Sequence, residues 1–141
     1  MGSRIESSSR GQTNDRRNIV NEYFRLIGMG MFKEGLRFFA PDCKTHNPYV
    51  IGGMDALTEA MIAASKNITA QSSQPEFVLK HLLVDGDLVA AHTQLLNSKT
   101  NPDEGGLRQV HLFRFKGDEI AEYLDITQQI LPSMPNAGEA F

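Results

Sequence analysis

The chain has 141 residues, 40% hydrophobic and 22% charged, with a net charge of −3 at pH 7; this is enough for one soluble domain around one substantial core. A pI near 5.8 without a basic cluster argues against a nucleic-acid surface, and no apolar run approaches the ~18 residues of a membrane span. The single cysteine, Cys43, excludes an internal disulfide framework, reads as a small buried hydrophobe, and points to a reducing, cytoplasmic setting.

Residues 1–13 lack the apolar stretch of a secretory signal and read as a disordered tail or expression remnant. From Asn14 the pattern turns helical: Asn14 or Asp15 caps, and Ile19, Tyr23, Leu26 and Ile27 form an apolar stripe ending at Gly28-Met29-Gly30. A second short helix is predicted over 31–39, stopped by Pro41-Asp42, and a brief strand over 43–46 runs into the extended turn at Asn47-Pro48. Gly52-Gly53 leads into a third helix over 54–66, with Asp55 and Glu59 early, where the helix dipole favours negative charge. Two strands follow, 76–84 and 87–97, joined by a tight turn at Asp85-Gly86. A turn-rich loop, 98–106, leads to the last hairpin, and 133–141 forms a C-terminal tail with Pro135 and Gly138. Helices first and strands after predict an α+β domain over 14–132, its sheet covered on one face by the helices.

The last hairpin, residues 109–129, carries the chemistry. A three-residue loop at Gly117-Asp118-Glu119 sets Arg114 opposite Glu122, a charge pair for a wet face. It also sets Phe113 opposite Tyr123, an aromatic pair for the covered face. The same register puts His111 across from Asp125, beside those aromatics. An imidazole and a carboxylate are expensive to bury on an apolar face unless they pair or meet a ligand. The pair is therefore either a catalytic dyad or a structural clasp.

Other candidates carry similar alternatives. His46 and Asn47 sit before the third helix and can donate to a substrate oxygen, or Asn47 can stabilise its own turn. Tyr49 reaches the same opening or simply packs. In a register where residue 84 meets 87, His92 opposes Leu79, Gln94 opposes Phe77 and His81 opposes Ala90, a mixed face suited to a cavity wall or to solvent. The four histidines show no i, i+4 pair, so no metal site is expected. Leu82, Val84, Val89, Leu95, Val110, Leu112 and Ile126 fall on the outer sheet face, apolar enough to predict a homodimer there.

Three segments in this order bear a family pattern: Thr45-His46-Asn47-Pro48 with Gly52-Gly53 and a helix; 85–92, read as DGDLVAAH; and Phe113-Arg114-Phe115 with Gly117, Ile120, Glu122 and 124–128, read as LDITQ. The sequence resembles SnoaL-like proteins of the nuclear-transport-factor-like superfamily, which includes polyketide cyclases and ketosteroid isomerases. The resemblance implies a cone-shaped α+β barrel, a bent sheet wrapped around a long helix with an apolar pocket inside. It also implies that Asp125, matching the aspartate of the last strand, is the acid/base of an aldol ring closure without metal or cofactor, assisted by His111. Phe113, Tyr123, His46, Asn47, Tyr49 and His92 are then candidates to line the site of a small apolar carbonyl compound. The competing expectation is a binding or dimerisation module with the same cone and no chemistry.

Overall fold

The computed structural model describes residues 2–71, 76–97 and 102–141; parts of the two expected loops, 72–75 and 98–101, lie outside them. Helix α1 (Gly2–Gly28) is followed by α2 (Phe32–Leu36), strand β1 (Phe39–Thr45) and helix α3 (Met54–Gln71). Strands β2 (Glu76–Asp85), β3 (Leu88–Leu96), β4 (Gly106–Lys116) and β5 (Glu119–Ile130) complete the chain, with a short 3₁₀ turn at Ala137–Glu139. They form an open five-stranded sheet in the order β1-β5-β4-β3-β2. Among the described residues only the β1–β5 pairing is parallel.

Helix α1 lies on one face of this sheet, the inner face. It buries Val20, Tyr23, Phe24 and Leu26, and Ile27 packs against the same core, so the apolar stripe follows the helical period. Helical backbone also occupies most of the stretch expected as a tail. No proline interrupts residues 2–28, although Gly2, Gly11 and the serines at 7–9 are weak helix formers.

The second helix stops sooner than predicted. Phe39 leaves it to open β1 and enters a ring cluster: Tyr23, Phe113 and Tyr123 lie with centroids 5.4, 6.2 and 5.5 Å from it. Aromatic burial outweighs a weak local helical preference. Pro41 and Asp42 fall in the irregular part of β1, between the paired residues Phe39 and Lys44. An edge strand tolerates the missing N–H there.

Two turns depart from expectation and set the site. In β4–β5, Lys116 pairs with Glu119 across a two-residue turn, not a three-residue one. Ala121 then bulges out, so Arg114 meets Glu122, Phe113 meets Tyr123 and His111 meets Asp125. In β2–β3 the turn residues are Gly86 and Asp87, with Gly86 at φ 59, and Asp85 pairs with Leu88. Lys80 bulges, so His81 opposes His92, Leu79 opposes Thr93 and Gln94 opposes Val78.

The expected facing of β3, and of β2 from His81 onward, is thereby reversed, whereas Phe77 and Leu79 keep the covered face expected of them. Val89 is fully buried in the core, Leu82 and Val84 pack against it, and Leu95 shares their face. A one-residue slip exchanges the two faces of a strand. Val110, Leu112 and Ile126 stay on the outer face, joined by Leu83, which is 67% exposed.

Candidate active site

Strands β3, β4 and β5 bring a line of polar side chains to the inner face. Thr93 pairs with Gln109, which pairs with Thr127; one step along, Ala91 pairs with His111, which pairs with Asp125. His111 is 5% exposed. Its Nε2 lies 2.8 Å from the Thr93 hydroxyl and its Nδ1 2.8 Å from the Tyr123 hydroxyl. The rings of Phe24, Phe113 and Tyr123 enclose it. The Tyr123 hydroxyl also faces that of Tyr23 on α1.

The carboxylate gives this chain a direction. Asp125 can only accept, so the Thr127 hydroxyl, 2.7 Å away, donates to it. Thr127 must then accept from the Gln109 amide nitrogen, 3.0 Å away, which turns the amide oxygen toward Thr93. Thr93 donates to that oxygen and therefore accepts from His111 Nε2–H. The His111 Nδ1 is left bare to accept from the Tyr123 hydroxyl. The network defines the Nε2–H tautomer.

Electrostatics agree with a neutral ring. Burial pushes His111 down to about 4, against a smaller opposing pull from Asp125. Burial also raises both tyrosines above the ordinary phenol range, so they act as hydroxyl donors. Asp125 itself is only partly buried, at the end of the chain where the inner face becomes wet. The arrangement holds a carboxylate at a rim and a neutral imidazole behind it.

The SnoaL-like domain family matches residues 20–123. The chain belongs to that family. Solved structures share its fold at low identity. AclR from Streptomyces galilaeus, a provisionally assigned hydroxylase, superposes with a TM-score of 0.68 at 12% identity, covering 92% of this chain and 99% of that one. A provisionally assigned ketosteroid isomerase from Kribbella flavida gives 0.63 at 15% identity over 92% and 90%. A SnoaL-like protein of unknown function from Burkholderia thailandensis gives 0.64 at 15% over 82% and 96%. No curated protein matches. At these identities the neighbours establish an open, cone-like α+β fold and leave the chemistry to the residues.

The SnoaL-like domain gathers some of the sequence candidates and disperses others. Asp125, His111 and Tyr123 share the inner face, but the imidazole bonds Thr93 and Tyr123 and makes no hydrogen bond to the carboxylate. Phe113 is wholly buried in the aromatic core. His46 is exposed and bonds Glu122 across 2.7 Å. That contact, more than Arg114 at 3.3 Å, holds the Glu122 carboxyl below its usual range. Asn47 accepts from the Tyr49 backbone N–H at 2.8 Å, the turn-stabilising alternative, and Tyr49 is 93% exposed. His92 lies on the outer face, opposite to Asp125 and His111. Among the described residues no group of three His, Cys, Asp or Glu can hold a metal ion, and no helix is long and apolar enough to cross a membrane.

Sequence reasoning missed Thr93, Gln109, Thr127 and Tyr23. The first three are adjacent only in the β3–β4–β5 register, and nothing in the loop preceding β4 specifies it. Tyr23 was visible as a helix-face residue, but its hydroxyl partner was not.

Proposed function

We propose that the domain is a small-molecule enzyme in which Asp125 performs acid/base chemistry, without a cofactor, on an apolar carbonyl compound. The reaction class is enolisation followed by aldol-type cyclisation or double-bond isomerisation. One observation supports this reading above the others: Asp125 is an accessible carboxylate at the wet end of a polar chain that runs through exposed Thr127 and half-buried Gln109 to buried Thr93 and His111. As base it takes a proton from the carbon α to the carbonyl and returns it to carbon or oxygen in the second half-reaction. The Thr127 hydroxyl fixes one carboxylate oxygen and leaves the other for the substrate. His111, neutral and held on both nitrogens, orients Tyr123 and supports the floor of the site.

A second reading, a binding module without chemistry, draws on the same imidazole. Both His111 nitrogens are spent on protein partners, as in a structural clasp. The outer face, with Leu83, Val110 and Ile126 exposed, supports a homodimer in either case.

Deuterium exchange at the α-carbon of cyclic and 1,3-dicarbonyl ketones, followed by NMR, separates the two readings. The enzyme reading expects wild-type protein to accelerate exchange and Asp125→Asn to retain fold and ketone binding while losing roughly 10²–10⁴-fold of the rate. Binding without acceleration by wild-type protein supports the module instead.

A further inference from the structure

The outer face carries an arrangement that the proposed chemistry does not use. Because Lys80 bulges, His81 and His92 stand directly opposite each other on adjacent strands. Their rings are nearly parallel, 11° apart with centroids at 5.3 Å, and the two Nδ1 atoms converge to 3.1 Å. We propose that this pair is a cross-strand two-histidine chelate for a divalent transition-metal ion, Cu²⁺ in preference to Zn²⁺, with water in the remaining positions.

The geometry fits. Metal–imidazole bonds run about 2.0–2.1 Å, so nitrogens at 3.1 Å subtend an angle of about 95–100° at a shared ion. That is close to the right angle of tetragonal Cu²⁺ and narrower than the tetrahedral angle Zn²⁺ adopts. Without an ion, one neutral ring carries its proton on Nδ1 and donates to the bare Nδ1 of the other. The chelate replaces that single bond with two.

The surroundings select among ions. No carboxylate joins the pair to form a three-ligand group among the described residues, which disfavours Mg²⁺ and Ca²⁺. The Lys80 and Arg108 charges add to that bias, leaving ions whose affinity comes from imidazole nitrogen.

The test uses the full chain in a non-coordinating buffer at neutral pH, titrated with CuCl₂ and read by calorimetry and pulsed EPR. Wild-type protein is expected to show two equatorial imidazoles on one Cu²⁺. His81→Asn and His92→Asn should each reduce this to one imidazole or none and weaken binding by roughly 10²-fold, since the second ligand acts at high effective concentration. His46→Asn should leave the two-imidazole signal intact, and ZnCl₂ should bind more weakly. Circular dichroism checks that the exposed substitutions leave the fold unchanged. A one-imidazole signal in wild-type protein, or a two-imidazole signal that survives His92→Asn, overturns the proposal.

Discussion

His92 and His111 occupy neighbouring strands one residue out of register, since His92 pairs with Val110, and the sheet gives them opposite environments. The inner histidine is sealed by aromatic rings and fixed in one tautomer by hydroxyls on both sides. The outer one is partly exposed, meets a second imidazole nitrogen to nitrogen, and lies near the charges of Lys80 and Arg108. Both lose affinity for protons through burial, yet only the inner one is locked. A pleated strand thus assigns the same side chain to a supporting post or to a ligand by its parity alone.

That contrast breaks most severely at the carboxylate. Asp125→Asn removes the proposed base and should lower α-proton exchange by roughly 10²–10⁴-fold, whereas His92→Asn on the other face should leave exchange unchanged. Stability gives the next largest difference. Phe113→Ala empties the centre of the inner face and should cost about 3–5 kcal/mol in denaturant unfolding. Leu83→Ala, at a 67% exposed outer position, should stay within about 0.5 kcal/mol.

The pH dependence sharpens the comparison. His111 is depressed from 6.5 to about 4 in the folded chain, so between those values the unfolded state binds the extra proton. Stability therefore rises with pH across that window and is lost as pH falls from 6.5 toward 4, by about 3 kcal/mol in all. His111→Phe should flatten this part of a chemical-denaturation profile. A smaller effect belongs to Thr93→Val. It leaves His111 Nε2–H without its acceptor and should cost about 1–3 kcal/mol.

Much of this division could be read before the coordinates. Arg114 with Glu122 and Phe113 with Tyr123 fixed the β4–β5 register by complementarity, and with it the His111–Asp125 apposition. The two-residue turn and the Ala121 bulge that produce it were hidden, because a longer turn and a short turn plus a bulge give the same pairs. The β2–β3 hairpin had no such check. Its strands are apolar at adjacent positions, so moving the turn by one residue and bulging Lys80 left a plausible pattern while exchanging the faces of Leu82, Val89 and His92. The polar chain through Thr93, Gln109 and Thr127 depends on a register between strands joined by a long loop, where local sequence carries little information.

The most direct test of the two-faced account is a ¹⁵N–¹H NMR titration of the histidine rings. The account predicts that His111 keeps a single neutral Nε2–H form from pH 8 down to about 5 and takes up a proton only near 4. A His111 ring that titrates near 6.5, or that exchanges between tautomers at neutral pH, would contradict it.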